Sequence, residues 1–342
     1  MISAYVEISG ESSALATEEA VAAAEALSGG RLKDDLLALP GLVGVTLPEE
    51  ADVLALAERL ALARRCLAFR AGPSDVGSTI GRAGADGGTA SVRRLGSPSS
   101  GADDAGVLEA GRRFKTGGGT IDLANPRRRF WLVRGADGKD RLFEEVASVD
   151  RRSAATRRMP VLPFQRPVSL PPRLARAAAN LARIRPGDRV LDPFVGTGAL
   201  LAEAGMLGAR LYGIDRDADM VRGSLRNLAH LGVVADELVV GDAGEAEFAG
   251  VVPSWDAILT DPPYGRASST GGEGSAALVA RVLPRWAARV RPGGRLVVIA
   301  SFAVEPPGAD WRPVVSVSVR VHRSLTREFR VYEKTERATN PG

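Results

Sequence analysis

The sequence predicts an α/β protein in which an α+β half precedes a doubly wound, mainly parallel sheet. From residue 189 onward, short apolar runs alternate with helical stretches, and the runs end near Asp192, Asp215, Asp242 and Asp261. Before residue 150 the predicted strands are short, and two of them flank the turn 135–138, as in a hairpin. These two patterns predict two different sheets in one chain.

In the first half, alternation and helical periodicity define most of the elements. Residues 71–106 are crowded with Gly, Ser, Pro and Asp, which is typical of mobile loops. The expected elements are a strand at 4–10, helices at 17–27 and 51–68, a short strand at 89–95, and hairpin strands at 130–133 and 141–143.

In the second half, residues 151–172 contain five prolines and have linker composition. Helices are then expected at 173–181, 199–207, 218–231 and 276–290, between the apolar strands. The alternating tail 314–332 predicts an antiparallel C-terminal hairpin that closes the sheet edge. We therefore expect domains at 1–50 and 51–150, a linker at 151–172, and a third domain at 173–342.

Composition excludes several classes of protein. The chain has 342 residues, 45% of them hydrophobic, and no apolar run of membrane-spanning length or signal-peptide pattern. Cys66 is the only cysteine, and the two histidines, His230 and His322, are far apart, so we expect neither disulfides nor a metal site. A monomeric cytoplasmic protein without membrane association is the default expectation, with an accessory subunit left open.

Charge is concentrated in the middle of the chain. Residues 110–173 carry fifteen bases and six acids, whereas residues 1–60 carry eleven acids and three bases. Nearly all bases are arginine, which suits phosphate contact but also fits coding bias. The clustering predicts a polyanion-binding surface, with these candidates: Arg112, Arg113, Arg127, Arg128, Arg129, Arg151 and Arg152.

The run Asp261-Pro262-Pro263-Tyr264 follows the apolar strand at 257–259. Proline cannot continue a sheet ladder, so the strand must stop in a rigid turn. A carboxylate, a fixed carbonyl and an aromatic ring then lie within four residues. They suit a planar amine, with two acceptors for its N–H groups and a ring to stack on; the alternative is an ordinary proline-rich turn. The catalytic candidates are Asp261, Pro262, Pro263 and Tyr264.

The other strand ends suit a nucleoside with an amino-acid group. Asp192 precedes the Gly196-Thr197-Gly198 turn, but position 201 is Leu, so the third glycine of a dinucleotide motif is missing. A carboxylate there repels a pyrophosphate and pairs with an ammonium. Asp215 is placed to accept ribose hydroxyls, and Asp242 with the Ala243 N–H is placed to meet adenine.

Singly, each of these aspartates is more often a turn or N-cap residue. Together they indicate S-adenosylmethionine, a methyl donor. The cofactor candidates are Asp192, Pro193, Phe194, Gly196, Thr197, Gly198, Asp215, Arg216, Asp242 and Ala243.

This arrangement resembles the class I methyltransferases that modify exocyclic amines. The resemblance implies that Asp261 and the Pro262 carbonyl accept the amine N–H bonds while Tyr264 stacks on the base, without a metal. Residues 163–181, 192–198 and 261–269 look like the archaeal tRNA guanine-N2 methyltransferases, and 121–126 and 149–153 resemble their ferredoxin-like and THUMP half more loosely. The fold class expected is therefore a methyltransferase sheet preceded by a ferredoxin-like/THUMP half.

Within that family the likeness is to enzymes that methylate, and often dimethylate, guanosine 10 of tRNA. A relative acting at position 6 typically has Asn where this chain has Asp261, which favours position 10. The expected partner is tRNA. The alternatives are guanine-N2 methylation at another tRNA site, an adenine-N6 DNA methyltransferase, and a non-catalytic RNA-binding protein.

Overall fold

The computed structural model describes residues 2–8, 12–29, 38–96, 104–157, 161–167, 169–250, 252–263, 274–322 and 325–336. The chain forms two compact units. The first comprises residues 1–10, 27–58 and 63–150, and the second comprises 11–26, 59–62 and 151–342. In the described part of the chain, no helix combines the length and the apolar character that a bilayer crossing needs.

The first unit contains a seven-stranded sheet in the order β2-β1-β3-β7-β6-β4-β5. Its strands are β1 (Ile2–Ile8), β2 (Leu42–Leu47), β3 (Ala63–Ala71), β4 (Thr89–Arg94), β5 (Thr120–Ile121), β6 (Arg128–Arg134) and β7 (Asp140–Ser148). The chain's first four helices are α1 (Ser13–Ser28), α2 (Ala51–Arg59), α3 (Val76–Ala83) and α4 (Ala105–Thr116). β6 and β7 pair antiparallel, which confirms the predicted hairpin.

The predicted helix at 51–68 is wrong in its second half. Helix α2 ends at Arg59, and β3 begins at Ala63. β3 lies between β1 and β7 in the sheet, where Cys66 and Leu67 are fully buried. Helix-forming residues adopt a strand here because strand pairing on both sides and burial of the side chains outweigh a helix propensity of a few tenths of a kcal/mol per residue.

The glycine-rich tract 71–106 holds a helix that composition did not predict, α3, as well as the predicted short strand, β4. Glycines at the ends of helices α3 and α4 allow them to pack closely. A Cβ atom at Gly84 would lie 2.2 Å from the Phe114 carbonyl oxygen, and one at Gly117 would lie 2.0 Å from that of Gly81. Helices α3 and α4 thus approach closely because these positions lack side chains. Residues 97–103 lie outside the described part.

The second unit contains the predicted doubly wound sheet, in the order β10-β9-β8-β11-β12-β14-β13. Its strands are β8 (Arg189–Asp192), β9 (Arg210–Asp215), β10 (Glu237–Val240), β11 (Trp255–Thr260), β12 (Val290–Ala300), β13 (Trp311–His322) and β14 (Leu325–Lys334). Its helices are α5 (Pro172–Leu181), α6 (Ala199–Gly205), α7 (Ala218–His230) and α8 (Ser275–Ala287).

Strands β8 to β12 are parallel, so their carboxyl ends meet at one edge. Strand β14 inserts antiparallel between β12 and β13, which confirms the predicted hairpin. The beginning of β14 therefore lies at the same edge as the ends of the parallel strands. In doubly wound sheets, ligands bind beyond the carboxyl ends of the parallel strands, at this edge.

Helix α1 belongs mainly to the second unit, although it follows a strand of the first. Glu19 on this helix is fully buried and accepts hydrogen bonds from the Ala61 and Leu62 N–H groups and from Asn180 Nδ2, each at 2.9 Å. Burial raises the pKa of Glu19. These three donors anchor the N-terminal helix and the 59–62 segment to α5.

Candidate active site

A cavity of about 490 Å³ opens at the carboxyl edge of the second sheet. It is lined by residues that follow β8, β9, β10 and β11, together with a segment before α5. The sequence-predicted residues that line it are Asp192, Pro193, Phe194, Gly196, Thr197, Asp215, Arg216, Asp242, Ala243, Asp261, Pro262 and Pro263. The structure thus brings together twelve of the predicted residues, from positions 192 to 263.

Two predicted residues are not in this lining. Gly198 is the N-cap residue of α6 and has the left-handed conformation, with φ at 81°. Tyr264 lies outside the described residues. The stacking role expected of Tyr264 therefore stays a prediction.

The turn after β8 requires glycine for its backbone shape. Gly196 has a φ of 53°, in a region that other residues rarely adopt. Its N–H donates to Asp215 Oδ2 at 2.9 Å, which ties the first strand end to the second. A Cβ at Gly198 would meet the Ser224 Cβ at 3.0 Å, so α6 and α7 pack closely beneath the turn.

Asp192 ends β8 and is 1% exposed. One of its carboxylate oxygens accepts a hydrogen bond from the Phe194 N–H at 3.0 Å. Burial, together with the charges of Asp261 and Asp215, raises the pKa of Asp192 to about 8. A buried acid in this state is stabilised by a cationic ligand, which restores its charged form.

Asp215 ends β9 and is held by two backbone donors. Its Oδ2 accepts from Gly196, and its Oδ1 accepts from the Asp217 N–H at 3.0 Å. Burial raises its pKa. Each carboxylate oxygen has a second lone pair, so this fixed carboxylate still has acceptor capacity for a pair of ligand hydroxyls.

Asp242 has a cationic partner on α8. Arg281 on α8 donates from Nη1 and Nη2 to the two carboxylate oxygens, at 2.9 and 3.2 Å. This pair lowers the pKa of Asp242. The neighbouring Ala243 is held from the core, where Trp286 Nε1 donates to its carbonyl oxygen at 2.8 Å.

Asp261 directly follows β11 and faces a buried arginine. Arg327 Nη1 lies 3.3 Å from Asp261 Oδ2, and the two side chains are 4% and 14% exposed. Arg327 is on β14, sixty-six positions further along the chain. The sequence did not indicate this residue, because residues 314–332 show only the alternation of polar and apolar residues that is typical of an edge hairpin.

The segment before α5 also contributes residues to the cavity, although its composition predicted only a linker. Arg166, Pro167, Ser169 and Leu170 line the cavity. The segment is held by Asn227, whose side chain exchanges hydrogen bonds with the Phe164 N–H and carbonyl at 2.9 and 3.0 Å. The resemblance over 163–181 was the one signal for this segment.

The predicted RNA-contacting arginines differ in their environments. Arg112 and Arg113 are exposed on α4 and share Glu109. Arg128 on β6 is held by Glu144 in a bidentate pair, with bonds of 2.7 and 3.1 Å. The remaining candidates are exposed: Arg127, Arg129, Arg151 and Arg152.

Comparison with known proteins gives the family. The UPF0020 family, described as an RMKL-like methyltransferase domain, matches residues 161–307. A probable tRNA (guanine(10)-N2)-dimethyltransferase of Methanothermococcus thermolithotrophicus is 31% identical over 169 residues, which are 48% of this chain and 99% of that relative. This chain belongs to the family of that relative.

Longer relatives match more of the chain. The tRNA (guanine(10)-N2)-dimethyltransferase of Methanothermobacter thermautotrophicus is 37% identical over 63% of this chain and 63% of its own length. The chain thus spans less than two thirds of that protein. The crystal structure of TrmN from Thermus thermophilus aligns with 97% of this chain and 99% of its own, with a TM-score of 0.49 and 23% identity.

Proposed function

We propose that this protein transfers methyl groups from S-adenosylmethionine to the exocyclic N2 amine of a guanosine in tRNA, at position 10, once or twice. The observation that carries the proposal is the meeting of Asp192, Asp215, Asp242 and the Asp261-Pro262-Pro263 turn in one cavity. Membership of the guanine(10)-N2 dimethyltransferase family supports the choice of amine and polymer.

The cavity fits the cofactor in charge and in size. S-Adenosylmethionine carries an ammonium and a sulfonium, and the cavity is lined by carboxylates whose mutual repulsion a cationic ligand would relieve. Asp192 would pair with the ammonium, Asp215 would accept from the ribose hydroxyls, and Asp242 with Ala243 would meet the adenine. The apolar lining includes Phe194, Met220 and Leu278. When bound, the cofactor supplies an electrophilic methyl group.

The chain's own residues prepare the amine. The nitrogen is a poor nucleophile because its lone pair is delocalised into the ring. Asp261 and the Pro262 carbonyl would accept its two N–H bonds and favour a pyramidal nitrogen, and Tyr264 would stack on the base. Arg327 would hold the Asp261 carboxylate in its ionised, accepting form. Orientation and electrostatics of this kind supply most of the acceleration in such a reaction.

The first unit would provide the RNA-binding half. We propose a ferredoxin-like segment at 1–50 and a THUMP-like domain at 51–150, joined through 151–172 to the methyltransferase domain at 173–342. Exposed arginines would contact phosphates without reading sequence, and the target base would leave its stack to enter the cavity. A monomer acting on cytoplasmic tRNA is part of this proposal.

The experiment is methyl transfer from labelled cofactor to tRNA transcripts, with duplex DNA containing adenine targets in parallel. The proposal requires label in tRNA and none in DNA. Label in DNA alone would establish an adenine methyltransferase instead. Binding of the cofactor without transfer to either polymer would favour a non-catalytic RNA-binding protein.

A further inference from the structure

A second cavity of about 500 Å³ lies beside the cofactor cavity, within the same unit. We call it the arginine pocket; its polar lining includes Arg151, Arg157, Arg173, Glu203, Ser169 and Thr197. Three guanidinium groups thus face one carboxylate across a concave space. None of these arginines belongs to the cofactor cavity.

The one carboxylate is already shared by two arginines. Glu203 is 1% exposed and accepts from Arg157 Nε and from Arg176 Nε, both at 2.7 Å. Arg157 and Arg176 therefore already balance the negative charge of Glu203, and Arg151 and Arg173 add further positive charge. The pocket keeps an excess of positive charge.

Arg151 and Arg173 have no acidic partner within 4.0 Å among the residues that the structure describes. Arg173 donates from Nε to the Ala61 carbonyl oxygen at 2.9 Å, which fixes its stem on α5. Arg151 is exposed at the mouth. Burial and the charge of Arg151 lower the pKa of Arg173, so the two guanidinium groups are close enough to repel each other. An anion between them would relieve this repulsion.

The two cavities share a wall. Ser169, Leu170, Thr197 and Ala199 line both of them, and Ser169 Oγ donates to Thr197 Oγ1 at 3.0 Å. A strand that delivers a base to the cofactor cavity therefore has its backbone near the arginine pocket. The planar guanidinium group of an arginine can donate two parallel hydrogen bonds to the oxygens of a phosphate group.

We propose that the arginine pocket binds a phosphodiester of the RNA strand that carries the target base, with Arg151 and Arg173 as its two phosphate ligands. This inference rests on the proposed function and names a substrate contact for it. Arg152, the neighbour of Arg151, does not line the pocket and has no part in this contact.

The test combines the double variant Arg151→Gln/Arg173→Gln with its lysine counterpart, Arg151→Lys/Arg173→Lys. The matched control is Arg210→Gln, an exposed arginine at the amino end of β9 that pairs with Asp236. Because Arg173 also donates to the Ala61 carbonyl oxygen, the single variant Arg151→Gln is included; the Arg151 side chain is exposed, so its replacement disturbs no buried side chain. Cofactor binding by calorimetry checks that each variant folds.

The expected result is a rise in KM for tRNA of about tenfold per arginine, with kcat within about twofold. The logarithmic slope of tRNA affinity against salt should fall by about 1 per arginine. Lysine should recover part of the affinity, and Arg210→Gln should change neither quantity. AMP and inorganic phosphate should compete with tRNA for the wild type and less for the double variant.

Unchanged KM and salt slope in both glutamine variants would overturn the inference while leaving the proposed function intact. Weakened binding of phosphate or AMP with unchanged tRNA affinity would also overturn it, by making the pocket a site for small anions. If the wild type transfers no methyl to tRNA, the proposed function fails. The binding measurements would then still decide whether the pocket holds RNA.

Discussion

Arg327 Nη1 lies 3.3 Å from Asp261 Oδ2, and both side chains are largely buried. The sheet topology causes this pairing. Strand β14 runs antiparallel to β12, so its first residues lie at the edge where β11 delivers Asp261. An ionised carboxylate in a dry site needs such a partner to keep its charge and its orientation. The C-terminal hairpin therefore supplies the cation that faces Asp261 as well as closing the sheet.

Replacing Arg327 tests this relationship. Arg327→Met should lower kcat by about tenfold or more and lower the unfolding free energy by about 3 kcal/mol, because it leaves a buried carboxylate without its cation. Arg327→Lys should recover much of the stability and part of kcat. Denaturant unfolding and steady-state kinetics give both numbers. Equal kcat in all three proteins would show that the pair is only structural.

Asp261 should be required for transfer and dispensable for binding. Asp261→Ala removes the acceptor for the amine, so kcat should fall by about 10² to 10³. Affinity for the cofactor and for tRNA, measured by calorimetry and filter binding, should stay within about threefold. Asp261→Asn keeps an acceptor of the same shape and should retain more activity than alanine. A parallel loss of tRNA binding would mean that Asp261 shapes the fold.

Cofactor affinity should depend on pH through Asp192. Its folded pKa of about 8 lies above its usual value, so the cofactor-free protein binds a proton there that the unfolded chain lacks. This contribution to stability is complete below about pH 4 and is lost as pH rises through about 8.

Pairing with an ammonium requires the charged form, so cofactor binding releases that proton. Affinity should then rise by up to about tenfold per pH unit between about pH 6 and 7.5. Asp192→Asn should bind weakly and without this slope, and its cofactor-free form should unfold at a higher temperature near pH 8 than the wild type. Calorimetry and thermal melts across this range measure both effects. A flat profile in the wild type would argue against an Asp192–ammonium pair.

The Asp242–Arg281 pair should set the adenine contact. Arg281 fixes both Asp242 oxygens from α8, so Arg281→Gln should loosen the carboxylate and weaken cofactor binding by about threefold to tenfold. The control is Arg222→Gln, an exposed arginine on α7 paired with Asp219. Its effect on cofactor affinity should be negligible. Stronger cofactor binding by Arg281→Gln would mean that Arg281 competes with the adenine.

The sequence predicted the second sheet well, because each β-α unit is a local pattern that ends at a turn. It failed at β3, where alanine and leucine read as helix and only pairing with β1 and β7 makes a strand. It also assigned Gly84 to a loop, since the packing of α3 on α4 is a contact between distant segments. Local periodicity carries no information about the pairing of distant strands or the packing of distant helices.

The site was predictable where its residues follow strands. Asp192, Asp215, Asp242 and Asp261 share one edge because parallel strands place their carboxyl ends together. Their partners were not predictable. Arg281 and Arg327 come from a helix and an antiparallel strand whose positions depend on the whole sheet, and an arginine in an arginine-rich chain gives no local signal.

The most direct test is the identity and position of the product. Wild-type tRNA transcripts and a matched set with adenosine in place of guanosine 10 would be incubated with protein and cofactor, then digested for mass spectrometry of the nucleosides. N2-Methylguanosine or N2,N2-dimethylguanosine is expected from the first set and neither from the second. Equal N2-methylation of both sets would contradict position 10, and methylation of any other base atom would contradict the account as a whole.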